Sequence, residues 1–122
     1  MLYNTKKEIE KYFLDNWTST PIQFQGVDFD SPDKWISLVF IPITRSSNTC
    51  NRVFENSQFR VLCYDKSPTL AIKLLDEVNT FFDCKDLTTC YSSAGKPDGL
   101  GIQDLLNNTY EVATLYEINN LI

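Results

Sequence analysis

The sequence predicts an α+β domain: an antiparallel or mixed sheet of about five strands with two helices packed on one face. Three observations carry this. Residues 59–82, FRVLCYDKSPTLAIKLLDEVNTFF, pass from an alternating strand through a Ser-Pro helix start into a helix with one apolar face. Residues 109–118 alternate, with Tyr110, Val112, Thr114, Tyr116 and Ile118 on one side and Glu111 and Glu117 on the other. Ile9, Tyr12, Phe13 and Trp17 recur at helical spacing near the start of the chain. Each of these faces is apolar and needs a partner to cover it. At 122 residues the chain is read as a single domain, 1–122, large enough for its own core without cross-links.

In chain order, the first helix is expected to begin near Asn4 or Thr5. Thr5-Lys6-Lys7-Glu8 fits a reciprocal cap, the hydroxyl and the carboxylate each covering an orphan amide. Residues 18–21 (TSTP) end it, because Pro21 disfavours helical geometry in the residue before it. Residues 22–24 (IQF) alternate as a short strand, and 26–34 (GVDFDSPDK) are rich in turn formers. Residues 35–41 (WISLVFI) are the strongest strand signal. Positions 38–41 are apolar on both faces, which predicts a central strand covered on both sides. Pro42 stops it or sits where no ladder amide is needed.

Residues 44–51 form a polar connection, and residues 53–64 resume as a strand with Phe59, Val61 and Cys63 pointing one way. Ser67 caps the second helix and Pro68 occupies its first turn, where a missing amide hydrogen costs nothing. Leu70, Ala71, Leu74, Leu75, Val78, Phe81 and Phe82 form its apolar stripe. Strands at 87–92 and 109–118 follow, joined by a segment with three of the four glycines that reads as a flexible connection. The order is α-β-β-β-α-β-β.

Composition removes several function classes. The chain has no histidine, which takes away the commonest general base, the usual metal ligand and the serine- or cysteine-histidine nucleophile pairs. The net charge is −5, from 11 basic and 16 acidic side chains, so the surface does not seek phosphate backbones. The local basic cluster Lys6, Lys7 and Lys11 alternates with Glu8 and Glu10 and reads as a solvated helix face.

Cys50, Cys63, Cys84 and Cys90 lack the short Cys-x-x-Cys spacing of a zinc site. The first residues carry no apolar export segment, which predicts a reducing compartment and free thiols; pairing of the even cysteine count is the alternative. Cys84 falls at the end of the second helix, where the dipole disfavours a thiolate. Trp17 and Trp35 sit within apolar patterns and read as core or subunit contacts rather than ligand stackers.

Asp28, Asp30 and Asp33 share one loop. They read as an acidic turn beside Pro32 rather than a cation site, since no EF-hand pattern follows. Gly95, Gly99 and Gly101 lack the Gly-Lys-Ser/Thr of a phosphate loop. No cofactor, metal or catalytic residue is expected, and no apolar run is long enough to span a bilayer.

With no chemistry to follow, the overall pattern carries more weight. The chain resembles the tail terminator proteins of long-tailed phages, also called tail completion or minor tail proteins. The likeness rests on an opening amphipathic helix ending in Asn16-Trp17, then TPIQFQG at 20–26 and KWISLVFIP at 34–42 with a polar loop after it. FRVLCYD at 59–65 leads directly into PTLAIKLLDEVNTFF at 68–82. It covers most of the chain, at the level of pattern rather than a signature motif. It departs at Glu55-Asn56-Ser57, where such proteins often carry a glycine before the strand.

The resemblance implies a non-enzymatic virion protein, assembled in the bacterial cytoplasm. It implies a hexameric ring that caps the tail tube, stops its polymerisation and offers the head-completion protein a docking surface. DNA would pass through the bore of such a ring without specific binding, and an acidic wall would repel it. A ring needs two different patches per subunit. The candidates are Phe29 in the 26–34 loop, Arg45, Arg52 and Phe54 in the 44–54 loop, and Lys96 and Leu100 in the 95–106 segment. The rival reading is a small acidic binding or immunity-type module that masks a basic partner protein. A carboxylate-dependent metal enzyme is a third class, with too few converging ligands to sustain it.

Overall fold

The computed structural model describes residues 2–24, 33–43, 54–87, 90–93, 95–97, 102–104 and 109–121. Helix α1 spans Leu2–Asn16, strand β1 Ile22–Gln23, β2 Trp35–Ile43 and β3 Phe54–Asp65. Helix α2 spans Pro68–Phe82, and β4 Cys90–Ser92, β5 Lys96–Pro97, β6 Ile102–Asp104 and β7 Thr109–Leu121 follow. The fold is α+β with a mixed sheet ordered β1-β2-β3-β7-β4 and with β5 and β6 also pairing β7. The α-β-β-β-α-β-β order holds, β4 and β7 being the last two strands expected. Only β1 and β2 are parallel; every other pair is antiparallel.

Both helices pack on one face. Ile36, Leu38 and Phe40 of β2 lie opposite Cys63, Val61 and Phe59 of β3, which lie opposite Val112, Thr114 and Tyr116 of β7. Ile9, Phe13 and Trp17 of α1 and Ala71, Leu74, Leu75, Val78 and Phe82 of α2 close over them in one buried cluster. Phe13 sits at the centre, its ring 4.9 Å from Phe81, 5.1 Å from Phe82 and 5.7 Å from Phe59.

Several expectations need correcting. Helix α1 begins at Leu2, so Thr5 lies inside it and is buried at 1% exposure rather than standing as a cap. Leu70 is 44% exposed and leaves the stripe of α2, because the helix turns its first residues away from the sheet. Strand β2 is covered by helices on one face only: Leu38 and Phe40 are buried, Val39 and Ile41 half-buried. The strand is paired on both sides, with β3 and with the two-residue β1, so the expected cover on both faces fails while its interior position holds. The strand also runs through Pro42. Ile36 donates its amide to Pro21 O at 3.1 Å, so even-numbered β2 residues turn their backbone groups toward β1. Pro42 shares that side, where β3 asks for no amide.

The segment after β4 was expected to be a flexible connection. It contains β5 and β6, both running beside β7. Cys90 pairs with Asn120, Lys96 with Leu115 and Ile102 with Glu111. The pairing thus slips by one residue between β4 and β5 and by two more before β6. The three pieces run along the same side of β7 in three different registers.

Candidate functional site

The sheet face turned away from the helices is built in rungs set by strand register. Trp35, Tyr64 and Glu111 form the first, then Ser37, Leu62 and Ala113, then Val39, Arg60 and Leu115, then Ile41, Gln58 and Glu117. The first rung is rigid. The Trp35 and Tyr64 rings stack with centroids 4.0 Å apart and planes within 9°, and Tyr64 donates its hydroxyl to Glu111 Oε2 at 2.7 Å. The rungs beyond it are mixed: Val39, Ile41, Leu62 and Leu115 are half-buried beside Ser37, Gln58, Arg60 and Glu117. Strand β5 extends the third rung, placing exposed Lys96 opposite Leu115.

Of the interface residues expected from sequence, Lys96 is thereby brought to an ordered place at the edge of this face. Phe54 opens β3 opposite Leu121. Phe29, Arg45, Arg52 and Leu100 lie outside the described residues. So do Asp28 and Asp30 of the acidic loop. Asp33 is described, and its carboxylate meets Lys66 Nζ at 3.2 Å in an exposed ion pair, a contact of little energetic weight.

On the helix side, a polar network fastens the edge strand to the end of α2. Ser92 Oγ accepts from the Lys85 amide at 2.8 Å and donates to Phe82 O at 2.6 Å. Gly95 N donates to Asp83 Oδ1 at 2.5 Å, and Tyr116 donates its hydroxyl to Asn79 Oδ1 at 2.6 Å. Gly95 fits because it lacks a side chain: a Cβ there would lie 2.5 Å from Asn79 Oδ1 and 2.8 Å from Thr114 Oγ1. Burial, reinforced by the Asp83 carboxylate, raises the Tyr116 phenol above its ordinary range. Burial, with Glu77 adding to it, pushes the Cys63 thiol up to about 12. Such a thiol is neutral and inert at physiological pH.

A third surface lies where the two helices end together. Trp17, just after α1, has its ring 5.2 Å from that of Phe81 in the last turn of α2, and Tyr12 lies 4.7 Å from Phe81 with its plane tilted by 30°. Two surface hollows of about 600 and 420 Å³ flank Tyr12 and Asn16 and share both residues. Sequence reading placed Tyr12 and Phe81 in apolar helix stripes and took Trp17 as a core or subunit contact. Their second role depends on two helix ends that are some 65 residues apart in the chain coming together.

Among the described residues no three His, Cys, Asp or Glu side chains gather as metal ligands. Cys63 and Cys84 are free thiols.

No known family matches this chain, and no curated protein does. Solved structures share its fold. One, which carries no functional name, superposes with a TM-score of 0.70 at 11% identity, covering 99% of this chain and 94% of that one. At that identity the likeness speaks for the fold alone.

Proposed function

We propose that this chain is a non-enzymatic structural protein of the phage tail terminator type. In this reading it acts as a hexameric ring that caps a tail tube and presents a docking surface to the head. The observation that carries the reading is the sheet face opposite the helices. Val39, Ile41, Leu62 and Leu115 gather there around Arg60, half-buried side chains on a face that neither helix packs against. Burying such a patch against another chain stabilises an assembly by about 25 cal/mol per Å² of apolar surface removed from water. Lys96 at its margin gives the patch a charged border suited to fixing register. The sequence-level resemblance supplies the ring and its partners, and the lack of a histidine argues against imidazole-based catalysis.

Light scattering on the eluting protein tests this. Six copies of the 14.1 kDa chain give a particle near 85 kDa, which negative-stain microscopy would show as an annulus. Leu62→Asp and Leu115→Asp place charge on the patch and are expected to reduce the particle to monomers that keep their circular dichroism. A monomer at every concentration, including in the presence of tail tubes, overturns the ring.

A further inference from the structure

We infer that the hollow flanking Tyr12, at the joined ends of α1 and α2, is a docking groove for a cationic extended segment of a partner protein. Three observations meet there. First, the floor is aromatic: Tyr12 and Phe81 are only partly buried, and Leu87 adds to it. Second, the lining carries four carboxylates, Glu8, Asp15, Glu77 and Asp86, against Lys11 and Lys85, a net of −2. Among the described residues neither Asp15 nor Asp86 is ion-paired. Third, both helices present their C-terminal ends here, and neither has a basic residue in its last turn. Each end carries about half a negative charge, so Asp15 stands where a cation would be favoured and an anion is not.

The chain's own lysine occupies the place such a ligand would take. Lys85 places its ammonium 5.8 Å from the centre of the Tyr12 ring, so that ring face accepts a cation. The two hollows adjoin at Tyr12 and Asn16, which suits an extended chain laid across both rather than a compact ion. An arginine side chain would displace Lys85 from the ring and reach the flanking carboxylates. The groove is separate from the sheet face proposed above as the assembly surface, and it stands or falls independently of the ring.

Titration of the ¹⁵N-labelled full chain with the capped peptide Ac-Arg-Gly-Arg-NH₂ tests this. Amide shifts are expected to gather at Tyr12, Asn16, Phe81, Lys85 and Leu87, and Ac-Glu-Gly-Glu-NH₂ should give none. The double variant Asp15→Asn/Asp86→Asn should weaken binding at least threefold. Lys85→Gln, which removes the resident cation, should tighten it. Asp76→Asn/Glu117→Gln carries the same charge change away from the groove and should leave affinity unchanged. Equal weakening by the two double variants, or shifts scattered over the surface, overturns the groove. Spermidine binding as tightly as the peptide at the same amides overturns the protein-segment assignment.

Discussion

Cys84 adopts φ 49°, a left-handed conformation that L side chains disfavour. Asp83, at φ −60° and ψ 132°, precedes it, so the pair forms the centre of a type II-like turn that reverses the chain after α2. Glycine is the natural residue for the second of these positions. Cys84→Gly should therefore raise stability by about 0.5–1 kcal/mol in urea denaturation, and an unchanged or lower midpoint would refute the strain. Gly95 is the opposite case. Gly95→Ala drives a methyl group into Asn79, Thr114 and Tyr116, and should cost about 1–3 kcal/mol, read as a lower melting temperature. Neither position stood out in the sequence. The positive φ at Cys84 falls on a residue with no turn preference, and Gly95 read as one of three loop glycines until its neighbours were known.

At the scale of elements, α2 was legible almost in full. Its start is written in Ser67-Pro68, and the cap is formed: Leu70 N donates to Ser67 Oγ at 3.2 Å. Ser67→Ala should destabilise by about 1 kcal/mol and increase amide exchange in the first turn of α2. Strands β3 and β7 were legible from alternation, and they pair along twelve residues. Strands β5 and β6 were not. Lys96-Pro97 has no strand preference of its own and pairs only because β7 offers a long free side to an adjacent chain. The start of α1 was misread because Thr5 fits a capping pattern while its burial places it inside the helix. The helix-end groove was illegible for another reason. Its walls come from α1 and from the chain after α2, and nothing local in either segment announces the other. The one available signal was Asp15 in the last turn of a helix that carries no basic residue in that turn.

For the whole molecule, the buried thiol and phenol set the alkaline limit of stability. Burial, with Glu77 adding to it, pushes the Cys63 thiol from its ordinary value near 9 up to about 12, so the folded state holds the proton more tightly. Its contribution is fully present below pH 9 and is lost as pH rises toward 12. Tyr116 acts with the same sign from its ordinary value of 10 upward. Urea midpoints should therefore fall steeply on the alkaline side, and Cys63→Val should flatten the part of the fall that begins near pH 9. A fall of equal slope in both proteins would remove Cys63 as a cause.

The interrupted strand beside β7 has a consequence for how copies of this chain can meet. A smooth outer strand is a template on which another chain can lay its own backbone, and then another, without end. Here the template is spoiled three times over, by one slip of a residue, by a second slip of two, and by Pro97. Growth by backbone zippering is shut off along that side. Association there is left to side chains, which meet in fixed number and then stop.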